Sequence, residues 1–433
     1  MRLYFVRAAA CGLLASLLSF GQAEEGYNAN QRIQRIRELG KKDANAIPAL
    51  AQYLSDPNAD IRIEAVKAIV RIDTDRSIGP LVDATHDNDP EVQIRATDGL
   101  VNAYLPGYVV KSGLTSSMTR GVRQVKGYFS SRNDQVVDAD VIIRPQVGQA
   151  LGDLVKGGAN MEVRANAARA AGILRDKTAV PSLIQGLHSR DDQTIVECLV
   201  ALQKIRDLSA GPGVAFLTHD LDPRIQALAL ETIGVLRSLP SAPDVRTALK
   251  NAPIKVQRAA LEALAMMGIP GDRATFQQYA TDKDPELRAA ALEGLGRIRE
   301  PGDTPLLQQA YDEEGGDWRV HLAAAFALVD EGKVDTSEFS PLTYLLENLN
   351  TKGRANVATA YLVELTRRAD VRNAIAKLVP ESTKDQKLAL CSILASTQEP
   401  DVIPLLNTLS RDIDPDVSFA ASKALRIVQA GRS

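Results

Sequence analysis

The sequence predicts an all-α solenoid of about eleven two-helix repeats, interrupted by one insertion that does not repeat. Three observations predict it. An apolar residue recurs at a fixed step of 31, a column of small residues stands four positions after it, and short polar side chains recur five positions before it. The stretches ADIRIEAVKAIVRI (59–72), PEVQIRATDGLVNA (90–103), MEVRANAARAAGIL (161–174) and PELRAAALEGLGRI (285–298) show the pattern directly. A chain of 433 residues also exceeds the ~250–300 at which a single core stops growing, so a repetitive array is the natural way to fold it.

The anchors are Ile61, Val92, Val163, Thr194, Ile225, Val256, Leu287, Trp318, Ala355, Gln386 and Val417, with every step equal to 31 from Val163 to Trp318. Eight residues further on stand Ile69, Leu100, Ala171, Leu202, Ile233, Leu264, Leu295, Phe326, Val363, Leu394 and Leu425, all apolar, as a core-facing helix position requires. Four after the anchor come Ala65, Ala96, Ala167, Cys198, Ala229, Ala260 and Ala291, then Leu322, Thr359, Leu390 and Ala421, a mostly small column that lets helix backbones approach. Aromatics are only 4% of the chain against 45% hydrophobic residues, which fits a core of Ala, Leu, Val and Ile.

Turn chemistry supplies the boundaries. Asp56, Asp87, Ser189, Asp220, Asn251, Asp282, Glu313, Asn350, Glu381 and Asp412 precede their anchors by five, and Asp-Pro pairs at 89–90, 222–223, 284–285 and 414–415 put proline just inside a helix start. A second set, Pro48, Pro181, Pro212, Pro243, Pro305 and Pro404, falls 13 before the anchor and opens the other helix. Each unit reads as proline, helix A, Asp-rich turn, helix B, short loop.

This pattern resembles the HEAT-repeat family, in the short form found in phycobilisome lyases, over roughly residues 46–429. The resemblance implies that Arg62, Arg164, Arg288 and Arg319 bridge to the Asp of a turn, with Gln93, Gln226 and Gln257 replacing them in other repeats. Family hydroxylases hold di-iron through repeated His-Glu pairs, and this sequence contains no His-Glu dipeptide. The family's lyases act on bilins.

The organisation expected is a signal peptide at 1–23, a capping helix at 24–45, repeats 1–2 at 46–104, an insertion at 105–145, and repeats 3–11 at 146–433. Arg2 and Arg7 precede an apolar run at 8–20, and Gly21-Gln22-Ala23 offers a small-residue cleavage site, so periplasmic or secreted location after cleavage near Ala23 is expected. Losing Arg2 and Arg7 moves the formal net charge from −3 to −5, which speaks against nucleic acid as a partner. No later segment is apolar and long enough to span a bilayer.

Cys198 and Cys391 sit about six repeats apart, far beyond the ~7 Å that a disulfide allows, and read as two free buried thiols. His86, His188 and His219 fall in inter-helix turns and His321 among helix-B alanines, with no clustered ligand set, so neither a metal nor another cofactor is expected. No phosphate loop or nucleophile elbow is visible either, and the chain reads as non-catalytic.

Six after the anchor, Lys67, Asp98, Arg169, Val200, Glu231, Glu262, Glu293, Ala324, Tyr361, Ser392 and Lys423 are expected along an inner helix-B surface. Glu231, Glu262 and Glu293 would form an acidic stripe suited to a basic partner, or simply a solvated helix face. Twelve after the anchor, Arg175, Arg206, Arg237 and Arg299 make a basic row that also complements the helix dipole. In the insertion, Arg120, Arg123 and Lys126 interleave a helical stripe of Leu114, Met118, Val122, Val125 and Phe129, flanked by short extended segments at 108–110 and 141–143. That element would fill a seam, bind a partner or touch an anionic membrane. The function expected is a protein-binding scaffold, with a HEAT-type hydroxylase or lyase (or a subunit of one) and a structural envelope component as the alternatives.

Overall fold

A computed structural model describes residues 27–109, 135–250, 252–397 and 399–430. The segment 1–23 and the insertion residues Arg120, Arg123 and Lys126 lie outside the described residues. Those described form helices, short 3-10 turns and loops, with no strand among them. They divide into two compact units: residues up to Gln135 together with Ile143–Leu174, and Val136–Ile142 together with Arg175 onward.

In the first unit, α1 (Ala29–Leu39) is opened by a capping box, Asn28 and Gln31 each accepting from the other's backbone N–H. It packs on α2 (Ala59–Ile72), where Arg37 Nε reaches Glu64 at 2.9 Å. α3 (Pro90–Tyr104), α4 (Pro145–Gly157) and α5 (Met161–Leu174) complete the long helices of this unit. The flanks of the insertion differ from expectation. Tyr108 and Val109 are helical, with Tyr108 buried, and residues 141–143 are irregular rather than strand, with Ile142 exposed.

The second unit stacks α6 (Asp192–Ile205), α7 (Pro223–Val235), α8 (Ile254–Met267), α9 (Pro285–Ile298), α10 (Trp318–Asp330), α11 (Ala355–Leu365), α12 (Lys384–Thr397) and α13 (Pro415–Ala430). Each follows a shorter helix A, most of which carry proline in their first two positions. A 3-10 turn precedes several A helices, capped at 177–179 and 208–210 by Asp176 and Asp207, a feature the repeat columns did not reveal. Asp222, Asp284 and Asp317 cap the B helices by accepting from backbone N–H groups two or three residues on.

Successive B helices of this unit contact one another along their length, whereas the A helices touch mainly their own B partners and neighbouring turns. Glycine permits the approach: a Cβ at Gly234 would stand 2.8 Å from Ala263 Cα, and one at Gly296 2.5 Å from Ala327 Cα. Closer spacing on the B side bends the stack toward it, so in this unit the B helices line the inner face.

The anchor and anchor-plus-eight columns are buried in most repeats, from Ile61 and Ile69 to Leu264 and Leu295. In α11 the register is one residue earlier than the sequence columns place it. Ala358 and Leu362 are fully buried there, and Thr359 and Val363 are only half-buried. Leu425, on the last helix, is half-buried as well, with no following repeat among the described residues to cover it.

The polar rungs join turn to turn. Arg62 pairs with Asp87 at 2.7 Å, Arg288 with Glu313 at 2.5 Å and Lys387 with Asp412 at 2.8 Å. Where glutamine replaces arginine it bonds its own turn instead, as Gln226 does to Thr218 O and Gln257 to Ala252 O. Arg164 likewise reaches Gly158 O, and Arg319 pairs with Asp317 of its own cap.

Candidate functional site

The inner face of the second unit concentrates the ionisable side chains. Glu231 on α7 and Glu262 on α8 are exposed, one repeat apart, and neither side chain takes part in an ion pair or hydrogen bond among the described residues. Partial dehydration between the neighbouring helices raises Glu231, with Lys255 opposing. The same dehydration, joined by the negative fields of Glu293, Glu231 and Glu286 and opposed by Arg297, pushes Glu262 up to about 7. A carboxyl in that condition favours a cation or a hydrogen-bond acceptor at neutral pH.

Glu293 does not continue the stripe. It is 7% exposed, tied to the Arg297 guanidinium four residues on, and accepts from the Tyr361 hydroxyl at 2.9 Å. Arg297 also binds Glu364 at 2.9 Å, and Glu364 accepts from Arg237 at 3.0 Å. Phe326 lies beneath Arg297, 4.9 Å from guanidinium carbon to ring centroid, and stacks on Tyr361 at 4.5 Å. These contacts cross whole repeats: Glu293 on α9 meets Tyr361 on α11, and Arg237 after α7 meets Glu364 on α11. The sequence columns expected Ala324 and Tyr361 on an open face, yet both are buried here. The bend brings α9 and α11 together over the small Ala324, and the one-residue register shift turns Tyr361 inward.

The network is electrically balanced. Burial opposes the charge on Glu364, and the hydrogen bonds and positive fields of Arg297 and Arg237 outweigh it, so Glu364 titrates below the usual glutamate range. Tyr361 is raised well above the usual phenol range, by burial first and then by Glu293. The open carboxylates Glu231 and Glu262 therefore border a closed, hydrogen-bonded cluster that fixes the curvature around them.

The basic row occupies the helix-B ends. Arg175, Arg206, Arg237 and Arg299 all adopt left-handed backbone, with φ of 52, 56, 46 and 57°, where Gly268 takes the equivalent place after α8. Arg175 donates to Lys204 O at 3.2 Å and Arg299 pairs with Asp330 at 2.8 Å.

The histidines do not converge. His188 stacks on Phe216, His219 lies 3.6 Å from Asp244, and His321 bonds Glu313 O. Among the described residues no three His, Cys, Asp or Glu side chains group to hold a metal, and no helix is long and apolar enough to cross a membrane. Cys198 and Cys391 are free and buried, and burial raises both thiols, Cys391 to about 11.

A family profile described as HEAT repeats matches residues 17–101 and 242–329. No curated protein matches the chain. Among solved structures, an engineered protein aligns at 17% identity over 95% of this chain and 98% of its own, with a TM-score of 0.37. The CpcE–CpcF complex of phycocyanin lyase from Nostoc aligns at 18% over 66% of this chain and 94% of that one, TM-score 0.33. Human deoxyhypusine hydroxylase aligns at 17% over 66% and 96%, TM-score 0.29. Likenesses at this level carry nothing about function.

Proposed function

We propose that this chain, whose repeats are HEAT repeats, is a non-catalytic scaffold that recognises a basic segment of a protein partner on the helix-B face of its second unit. The observation that carries the reading is the pair Glu231 and Glu262: exposed carboxylates on adjacent repeats, without an ion-pair partner among the described residues, beside a cluster in which every other carboxylate is bonded. A lysine or arginine placed between them would gain two charge-assisted contacts, and would relieve the repulsion that raises Glu262. Because Arg297, Glu364 and Tyr361 are locked by their own bonds, the surface is rigid before the partner arrives, which lowers the ordering cost of binding.

The N-terminal run from Arg2 to Ala23 supports export, which would put this recognition in the periplasm or outside the cell. The basic stripe of the insertion, Arg120, Arg123 and Lys126, would supply a second contact, to the same partner or to an anionic membrane surface.

Selection from a displayed random-peptide library tests the reading. Peptides retained by the wild-type chain are expected to be rich in Lys and Arg, and to bind the Glu231→Gln/Glu262→Gln double variant about tenfold more weakly. Ligands without basic residues, or equal binding to both proteins, would count against it. Metal or chromophore carried by the purified chain would favour the hydroxylase or lyase alternative.

A further inference from the structure

The arginines at the helix-B ends of the second unit have a property that capping alone does not explain. Left-handed backbone at a helix end is the ordinary province of glycine and costs other L-residues about 1 kcal/mol or more. Arginine nevertheless occupies it after four B helices. At Arg175 and Arg299 the guanidinium is engaged by the next repeat, at Lys204 O and Asp330, which accounts for its presence. Arg206 is different. It is exposed and makes no ion pair among the described residues, although Arg175 and Arg237 stand one repeat away on either side.

A fourth guanidinium joins them from a distant part of the unit. The Arg237–Glu364 ion pair draws the end of α11 across the inner face, and Arg367 follows Glu364 by three residues on that same end. Arg367 is exposed, and its side chain too makes no ion pair among the described residues. Partial dehydration beside the neighbouring helix ends, and after it the fields of Arg175, Arg367 and Arg237, make the charge on Arg206 harder to hold. Within the adjoining network Glu293 balances Arg297, and Glu364 balances Arg237. Three guanidiniums have no carboxylate partner among the described residues: Arg206, Arg367 and Arg175, whose Nε donates only to the Lys204 carbonyl.

We propose that Arg175, Arg206 and Arg367 form a binding site for a multiply charged oxyanion of the phosphate or sulfate class, with Arg237 at its margin. Planar guanidiniums match such oxygens in bidentate pairs, and several forks approaching one centre distinguish a tetrahedral polyanion from a simple carboxylate. Three excess positive charges also set the valence: a monoanion leaves most of the repulsion in place, whereas a di- or trianion removes it. The site is separate from the Glu231 and Glu262 pair and does not depend on that pair binding anything. Two sources of the group fit the chemistry, a free inorganic polyanion and a phosphorylated or sulfated macromolecule.

Titration calorimetry on the full chain with pyrophosphate, inorganic phosphate, sulfate and acetate, at matched ionic strength, tests this. The expected order of affinity is pyrophosphate, then phosphate and sulfate, with acetate at least tenfold weaker than phosphate. Arg206→Gly is the informative variant. It removes the guanidinium while installing the residue that Gly268 already supplies in the next-but-one repeat, so the fold should be kept or strengthened. Arg206→Gly and Arg367→Gln are each expected to weaken pyrophosphate at least tenfold while leaving the thermal midpoint in buffer unlowered. A phosphoserine peptide compared with free phosphate separates the two sources: tighter binding of the peptide favours a macromolecule, and equal binding the free ion. No binding by the wild type, equal binding of all four anions, or unchanged affinity in both variants would overturn the proposal.

Discussion

Replacing Glu262 by glutamine should make the protein more stable at pH 8 and leave it unchanged at pH 4.5. The carboxyl titrates at about 7 in the folded chain against 4.5 in an ordinary setting, so the folded state holds its proton more tightly than the unfolded state does. Its contribution is therefore greatest below about 4.5, is lost as pH rises through 7, and is level above that. A shift of about 2.5 units sets a ceiling of roughly 3.4 kcal/mol at about 1.36 kcal/mol per unit. More than a third of the side chain is in solvent, and screening reduces this to about 1 kcal/mol. Glutamine keeps the shape and removes the titration. Urea unfolding of both proteins between pH 4.5 and 8.5 should give coincident curves at the acid end and a gap opening to about 1 kcal/mol by pH 8. A gap that is constant with pH, or a wild type more stable at pH 8, would refute the assignment of Glu262 to a dehydrated site flanked by Glu231 and Glu293. The same titration ties stability to recognition: a bound cation favours the ionised form, so affinity for a basic ligand should rise from pH 6 to 8 in the wild type and rise less steeply in Glu262→Gln, where Glu231 alone titrates.

Other perturbations probe the frame that holds this face. Gly296→Ala puts a Cβ 2.5 Å from Ala327 Cα; overpacking of about 1–3 kcal/mol outweighs the ~1 kcal/mol gained in helix propensity, whereas Gly79→Ala, with nothing within 4 Å, should be neutral or mildly stabilising by thermal denaturation. Arg297→Ala strands the buried Glu293 and should cost about 3–5 kcal/mol, partly recovered when Glu293→Gln is added; an unfolding midpoint within experimental error of wild type would contradict the network. Cys198 and Cys391, 0% and 1% exposed, should react with a thiol reagent only on the timescale of unfolding, and rapid labelling of the native chain would show that their repeats open.

The period made most of the fold legible, because a repeat imposes the same burial on the same column wherever its length is kept. Ile61, Val256 and Leu295 occupy the core for that reason, and Asp222 and Asp284 cap helices because their carboxylates accept from the backbone N–H groups just inside the helix start, which the Asp-Pro pairs mark in the sequence. Legibility failed where the length changed. The lengthened loop at 331–340 displaced the phase of α11, so Ala355 proved a false anchor; the spacing of Ala358, Leu362 and Leu365, taken without reference to the period, gives the true face. The site was half legible. The column rule found Glu231, Glu262 and Glu293, but curvature is not written in a period, so the burial of Glu293 by Tyr361 and Arg297 could not be read from it. Glu364 lies outside every column used, and although Arg367 stands twelve after Ala355, in the column of the basic row, only the bend of the unit brings the two to Arg237 and Arg206.

The most direct test of the scaffold account is quantitative capture from an envelope extract on the wild-type chain beside a Glu231→Lys/Glu262→Lys variant shown to be folded by circular dichroism. The account predicts at least one protein, basic in the segment that cross-links to α7 and α8, retained by the wild type and depleted tenfold or more on the variant. Equal retention on both chains would contradict recognition through these carboxylates, and no specific retention on a folded wild type would contradict the scaffold role itself.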